Sequence, residues 1–243
     1  MKLNFPRKES GLYEIPADNG FDTIAVQILT KKQPAVLETA MPLDMDKLIY
    51  DSYLECKSEF LSKSGNVWGL VTFSDMKIPT YDENFNKTFV EAQEGTIFVE
   101  RRLKNLSTRY RFTQAHEYGH WIVGRGYFSS DKRDYNFRKE GCSFVVNMSE
   151  AIGHKNPKEA KNDEELSEWQ ADSLAAALLM PSVTFIPKVN YLLKGYGFES
   201  SYIPLGTKET RAHALIGDVA RTYGVSARSA KIRMMSCNFI KAM

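Results

Sequence analysis

The clearest hydrophobic pattern in the chain is a helical one, and it occurs in two long segments. Apolar residues at helical spacing predict one helix over 107–123, ending at Gly124. They predict a second helix over 164–180, which Pro181 should stop because proline cannot continue a helix. The face of this second helix that should enter the core carries Leu166, Trp169, Leu174, Leu178 and Leu179.

Two other segments carry weaker helical patterns. Residues 44–61 predict a helix for which Asp44 or Asp46 is suited to act as the N-terminal cap. Residues 207–243 are rich in Ala, Arg, Leu and Ile at helical spacing, with a predicted turn at 223–226. The C-terminal segment therefore predicts two helices joined by a short turn.

Strand-like patterns lie between the first helix and the two long ones. Segments 67–73 and 96–100 are β-branched and aromatic, and they predict strands of a small antiparallel sheet. The polar residues 81–87 predict a loop. Between the two long helices the chain is charged and punctuated by Gly and Asn, which predicts an elaborated loop with a strand at 142–146.

These elements predict an α+β protein in which a small antiparallel sheet packs on the two long helices. Residues 1–40 mix Pro, Gly, Lys and Asp, with one short apolar stretch at 23–29 that suits a strand or a helical turn, and they predict an irregular lead-in. A catalytic or binding domain is expected over 41–205. The helical segment 206–243 is expected to follow it, in an arrangement similar to a helix-turn-helix.

Composition narrows the class of protein. With 43% hydrophobic and 26% charged residues the chain is typical of a globular protein, and a net charge of +2 gives no electrostatic argument for bulk nucleic-acid or membrane binding. Three widely spaced cysteines argue against a disulfide framework. The N-terminus lacks the apolar core of a signal peptide, and the run 174–180 is too short to span a membrane. These features predict a cytoplasmic protein.

The segment with the most specific chemistry is a His-Glu-x-x-His block on the first long helix. His116 and His120 are four residues apart, so both rings project from one helix face and can bind one Zn²⁺. Glu117 lies next to the first ligand, where it can act as general base and then pass the proton to a leaving amine. The alternative is a pair of surface histidines with no metal.

The second long helix offers the missing ligand. A catalytic zinc site takes three protein ligands and keeps one position open. Glu168 could be the third ligand, and Asp172, again four residues on, could accept the second ring N–H of a ligating histidine. The alternative is a solvated acidic face, a description that suits Glu164 and Glu165 better because they lie in the first helical turn. Small residues on this helix, Ala171 and Ala175 to Ala177, would allow a close approach.

Both helices carry blocks that resemble a known family. Arg111 to His120 (RFTQAHEYGH) resembles the RFTxAHELGH signature of the ImmA/IrrE family of metallo-endopeptidases, and Glu168 to Pro181 (EWQADSLAAALLMP) resembles its second signature. Weaker similarity covers 41–47 and 220–226. Three features depart from the family pattern: Tyr118 replaces Leu, Leu174 replaces Phe, and the insert between His120 and Glu168 is long.

The resemblance implies a gluzincin-like, or zincin-like, domain with a two-histidine, one-glutamate zinc site. It also implies site-specific cleavage of a helix-turn-helix transcriptional repressor of a mobile element or stress regulon. In such an enzyme we expect the substrate to lie extended, for example against an edge strand at 96–100. Tyr110 and His213 are candidates for stabilising the oxyanion, but structural or surface roles suit them better.

Two non-enzymatic readings compete with this one. Arg221, Arg228, Lys231 and Arg233 give the C-terminal segment a faint similarity to a DNA-recognition helix. The near-zero net charge favours the other explanation, a helical cap whose solvated face is basic. The other alternative is a toxin–antitoxin or phage-related binding protein whose zinc site is structural or vestigial. The complete His-Glu-x-x-His block argues against it, since a structural site has no use for Glu117.

Overall fold

The computed structural model describes residues 3–128, 160, 162–207 and 209–241. Within them the fold is mixed α+β with small sheets. The helices are Gly20–Lys32, Ala35–Glu38, Met45–Asp51, Ser107–Gly119, Arg125–Phe128, Asp163–Leu179, Ser182–Gly195, Thr210–Tyr223 and Ala227–Ser236, with a 3-10 helix at Arg101–Asn105 and a π-helix at His120–Gly124. The strands are β1 (Glu55–Glu59), β2 (Gly69–Val71), β3 (Met76–Tyr81), β4 (Lys87–Ala92), β5 (Thr96–Glu100), β6 (Ile203–Pro204) and β7 (Ile240–Lys241).

The central element of the main sheet is β5. Its strand order is β1-β5-β2, with β1 parallel and β2 antiparallel to β5. All five residues of β5 are buried because both faces of the sheet are covered. Ile97 and Val99 join the main core, whereas Phe98 packs with Leu70 and Ile78 beneath the β3–β4 hairpin. The prediction of a strand at 96–100 is confirmed, and 67–73 contains the shorter β2. The sheet is mixed and not antiparallel as predicted, because β1 pairs with β5 in the parallel direction.

The predicted helix 44–61 is correct only in its first half. The side chain of Asp44 accepts a hydrogen bond from the Lys47 backbone N–H, so the cap is as expected, but the helix ends at Asp51. Tyr53 then adopts a left-handed backbone, with φ of 60° and a 95% exposed side chain. Residues 55–59 of the predicted helix instead form β1, because pairing with β5 satisfies their backbone groups.

The N-terminal forty residues are not an irregular lead-in throughout. Gly20–Lys32 is a helix whose buried face includes Ile24, Ile28 and Leu29. It packs on the helix Asp163–Leu179, where the ring of Phe21 meets Trp169 edge to face at 5.0 Å between centroids. Residues 23–29 are therefore part of a full helix and not a strand or a single turn.

Two helices form the centre of the molecule; we call Ser107–Gly119 the motif helix and Asp163–Leu179 the partner helix. The partner helix ends before Pro181, as predicted, and Asn162 caps its start by accepting from the Glu165 N–H. The motif helix does not end at Gly124: it continues through the π-helix His120–Gly124 into Arg125–Phe128. The two helices approach closely where Gly119 faces Ala171.

The C-terminal segment forms two helices, as its pattern predicts. Thr210–Tyr223 ends at Gly224, which takes the left-handed conformation with φ of 60°, and Ser226 caps the next helix. Arg111 of the motif helix donates hydrogen bonds to the carbonyl oxygens of Gly224 and Leu43. The C-terminal turn is thereby fixed to the motif helix.

The predicted strand 142–146 and most of the insert between His120 and Glu168, including His154, lie outside the described residues. Within the described ranges no single helix is long and apolar enough to cross a membrane. Asp163–Leu179 and Ser182–Gly195 meet that test only as a joined pair, which is bent by 66° at the break between them.

Candidate metal centre

Three side chains converge where the motif helix meets the partner helix. The Nε2 atoms of His116 and His120 are 3.0 Å apart. The Oε2 atom of Glu168 lies 3.3 Å from His116 Nε2, and its Oε1 atom lies 3.2 Å from His120 Nε2. These residues lie close enough together to bind a metal ion.

Helix geometry explains this convergence. The two histidines are one turn apart on the motif helix, so their rings project from the same face. The partner helix brings Glu168 opposite them because Gly119 and Ala171 allow the two backbones to approach: a Cβ on Gly119 would lie only 2.9 Å from the Ala171 carbonyl oxygen. The small residues of the partner helix thus have the effect expected from the sequence.

The arrangement fits a tetrahedral metal site. Ligand atoms about 2.0–2.1 Å from a tetrahedral ion lie roughly 3.3 Å from one another. The separation of the two histidine nitrogens, and that of each Glu168 oxygen from its nearer histidine, are close to this value. The Glu168 Oε2 atom is buried and lies 3.3 Å from His116 Nε2, a position suited to a metal ligand. The histidine side chains are at most 5% exposed, whereas that of Glu168 is 24% exposed, so the centre opens on the Glu168 side.

Asp172 fixes the orientation of the first histidine ring. Its Oδ1 lies 2.8 Å from His116 Nδ1 and accepts a hydrogen bond from the N–H group there, which leaves the lone pair of Nε2 facing His120 and Glu168. Burial disfavours the charged ring, but hydrogen bonds and negative charge from Asp172 and Glu168 outweigh it and raise the pKa of His116 well above its ordinary value. A metal ion and a proton therefore compete for this nitrogen.

Replacing Asp172 by alanine is expected to lower metal affinity about 10- to 100-fold, because the His116 ring loses the acceptor that holds it. Asp172→Asn should lose less, since the amide oxygen can still accept the hydrogen bond. Competition with a chromophoric chelator measures the affinity. The control is Glu164→Ala, which removes an exposed carboxylate from the same helix; equal losses in both variants would contradict the orienting role.

The second histidine is held differently. The Ser167 Oγ lies 3.4 Å from His120 Nδ1, and the Phe128 ring packs edge-on against the His120 ring at 5.5 Å between centroids. His120 begins the π-helix, a distortion often found at functional sites. The sequence did not predict Ser167 or Phe128 as residues of the centre. The only signal for Ser167 is that it directly precedes the predicted ligand Glu168.

Glu117 lies beside the centre but is not part of the ligand set. Its side chain packs against β2 and against Thr113, and the residue is only 3% exposed. Burial raises the pKa of Glu117 to about 7, although His116 and His120 oppose the shift. A carboxyl group with this pKa both takes up and releases protons near neutral pH. The pKa of Glu168 shifts the other way. Burial alone would raise it, but the charge and hydrogen bonds of His120 and His116 outweigh burial and lower it.

The other residues considered from the sequence lie in structural surroundings. The Tyr110 hydroxyl is 2.9 Å from the Ser58 Oγ, and His213 is exposed with its Nδ1 3.0 Å from the Glu209 carbonyl oxygen. Tyr118, one of the departures from the family pattern, is buried, and its hydroxyl lies 3.0 Å from the Ser52 Oγ. None of these contacts joins the metal centre.

A scan of protein-family models and a search of curated proteins find no match to this chain. Two nitrogen donors and a carboxylate can hold a metal ion, and a buried carboxyl group beside them can move protons at neutral pH.

Proposed function

We propose that the protein is a zinc-dependent endopeptidase that hydrolyses a peptide bond in a protein substrate. The observation that carries this proposal is the convergence of His116, His120 and Glu168, with the buried Glu117 carboxyl beside them. A metal centre that only stabilised the fold would have no use for such a base. The same constellation of residues supports a zincin-like assignment for the domain.

Zinc is the metal that this donor set suits best. Two imidazoles and one carboxylate are a common ligand set of catalytic zinc sites, which leave a fourth position open. When bound, Zn²⁺ would polarise the scissile carbonyl as a Lewis acid. Structural sites more often have four side-chain ligands, whereas the described residues supply three here.

Glu117 would carry the proton transfers. Its carboxylate takes a proton from the attacking water as the new carbon–oxygen bond forms. The resulting carboxylic acid then gives that proton to the amine nitrogen as the peptide carbon–nitrogen bond breaks. One group can serve in both steps because burial raises the pKa of Glu117 to about 7. Asp172 keeps the His116 ring oriented throughout.

The substrate would lie along β2, not along 96–100 as the sequence suggested. Thr96–Glu100 is the central strand and has no free edge, whereas β2 is an edge strand next to the motif helix. The Trp68 carbonyl oxygen accepts from the Glu100 N–H, and the Thr72 N–H donates to the Thr96 carbonyl oxygen, both in β5. Because backbone groups alternate in direction along such a strand, those of Gly69 and Val71 point away from β5. An extended peptide could pair with them.

The substrate that we propose is a helix-turn-helix transcriptional repressor of a mobile element or stress regulon, in the cytoplasm. The support is the resemblance of 111–120 and 168–181 to the two ImmA/IrrE signatures. A surface loop of such a partner could enter the site in extended form.

The first test is the zinc content of protein purified without added metal, measured by elemental analysis. We expect about one zinc per chain, as three converging ligands predict. Cleavage of candidate repressors should stop when a chelator removes the metal and return when zinc is added. Protein that contains no zinc and takes up none on titration would overturn the proposal.

The DNA-binding alternative loses support from the structure. Arg233 is buried and pairs with Asp22, whereas Arg221 is exposed and has its charge partly balanced by Asp218. Arg228 and Lys231 stay exposed on the second C-terminal helix. A short basic face of this size is typical of an ordinary solvated helix. A strongly salt-dependent DNA affinity would restore this alternative.

A further inference from the structure

One position on the helix-facing side of the main sheet has no side chain. Val71, Ile97 and Val99 fill this side with β-branched residues and belong to the main core. Gly69 of β2 pairs with Val99 of β5 and therefore lies on this same side of the sheet. A glycine inside a strand costs stability and leaves packing space, and it often marks a close approach of another group.

The group that approaches Gly69 is the side chain of Glu117. A Cβ at position 69 would lie 2.5 Å from Glu117 Oε1 and 2.9 Å from its Cγ, and 2.7 Å from Thr113 Cγ2. Gly69 is not among the residues with positive φ, so its backbone does not itself require glycine. The requirement comes from the space that the Glu117 carboxyl occupies.

We propose that Gly69 is the positioning residue for Glu117, and the proposal rests on the endopeptidase function argued above. The bare backbone of β2 lets the carboxyl lie in the space that a side chain at position 69 would fill, and the Thr113 methyl group borders the same space. In the described part of the chain no hydrogen bond or ion pair involves this carboxyl. Packing against Gly69 therefore determines where the base stands relative to the histidines. The same strand edge would receive the substrate, so one residue sets the distance between base and substrate.

The test is Gly69→Ala. The added methyl group must push the Glu117 carboxyl aside, and a misplacement of about 1 Å can cost roughly 100-fold in rate. We expect kcat to fall about 10- to 100-fold, while KM and the zinc content stay as in the wild type. The control is Gly195→Ala, because a Cβ there meets nothing within 4 Å. It should leave the rate unchanged.

A second measurement tests the contact without relying on activity. Gly69→Ala should shift the urea midpoint of unfolding to lower concentration in the wild-type background. The shift should shrink in the Glu117→Ala background, because the atoms that the methyl group meets first are gone.

Each result has a distinct meaning. A wild-type kcat in Gly69→Ala, or a loss of zinc together with activity, would overturn the positioning role. Equal midpoint shifts in both backgrounds would also overturn it. If the wild-type protein hydrolyses no candidate substrate, the proposed function fails. The two unfolding shifts would then still show whether Gly69 makes room for Glu117.

Discussion

Replacing Glu117 by glutamine is expected to abolish hydrolysis while the metal stays bound. The amide has nearly the same shape, so it still fits against Gly69 of β2, but it cannot accept a proton from water. General base catalysis contributes roughly 100- to 10,000-fold, and the loss should be at least of this order. The metal should stay because Glu117 is not one of the three converging ligands. Single-turnover cleavage and elemental analysis of the same preparation measure both effects.

Glu164→Gln provides the matched control for this experiment. It makes the same chemical change at an exposed position on the partner helix and should cleave at the wild-type rate. A Glu117→Gln protein that binds zinc and cleaves normally would show that another group is the base. Loss of zinc in that variant would instead mean that Glu117 holds the metal, which the geometry here does not predict.

The three side chains that converge could be predicted because their placement depends on local helix geometry. A spacing of four residues places His116 above His120, and Glu168 above Asp172, in any α-helix. The sequence needed only to show two helices of suitable extent, and the partner helix ends before Pro181, as the sequence indicates. The pairing of the two faces also followed from chemistry, since histidines and carboxylates are complementary as ligands and as hydrogen-bonding partners.

The parts of the fold that the sequence did not predict depend on contacts between distant segments. Residues 55–59 carry a mixed polar pattern and become a strand because β5 offers a parallel edge about forty residues later. The helix Gly20–Lys32 is buried only because the partner helix covers its apolar face. Secondary-structure preference is a weak guide where such tertiary pairing decides the outcome.

The same limit applies to the supporting residues of the centre. Gly69 and Ser167 matter only because β2 and the partner helix meet the motif helix at particular registers. A glycine within an apolar strand was a visible signal of a close approach, but it did not show which group approaches. Ser167 gave no signal of its own in a helix of mixed composition.

Replacing Glu168 by alanine is expected to remove the metal from the protein. Loss of a residue that only orients a ligand costs about 10- to 100-fold in affinity, and loss of a ligand itself should cost more than about 100-fold. The two histidine Nε2 atoms would then face each other at 3.0 Å without the Glu168 carboxylate. Zinc should fall well below one per chain after dialysis, and cleavage should stop with it.

Glu164→Ala is again the right comparison, because position 164 lies one turn before 168 on the same face of the partner helix and is exposed. Its zinc content should equal that of the wild type, which would separate ligand loss from a general loss of negative charge. If Glu168→Ala kept tightly bound zinc, the third ligand would have to be sought elsewhere, first at Asp172, whose Oδ1 already contacts His116. That result would also leave the buried Glu168 Oε2 without the role that its geometry indicates.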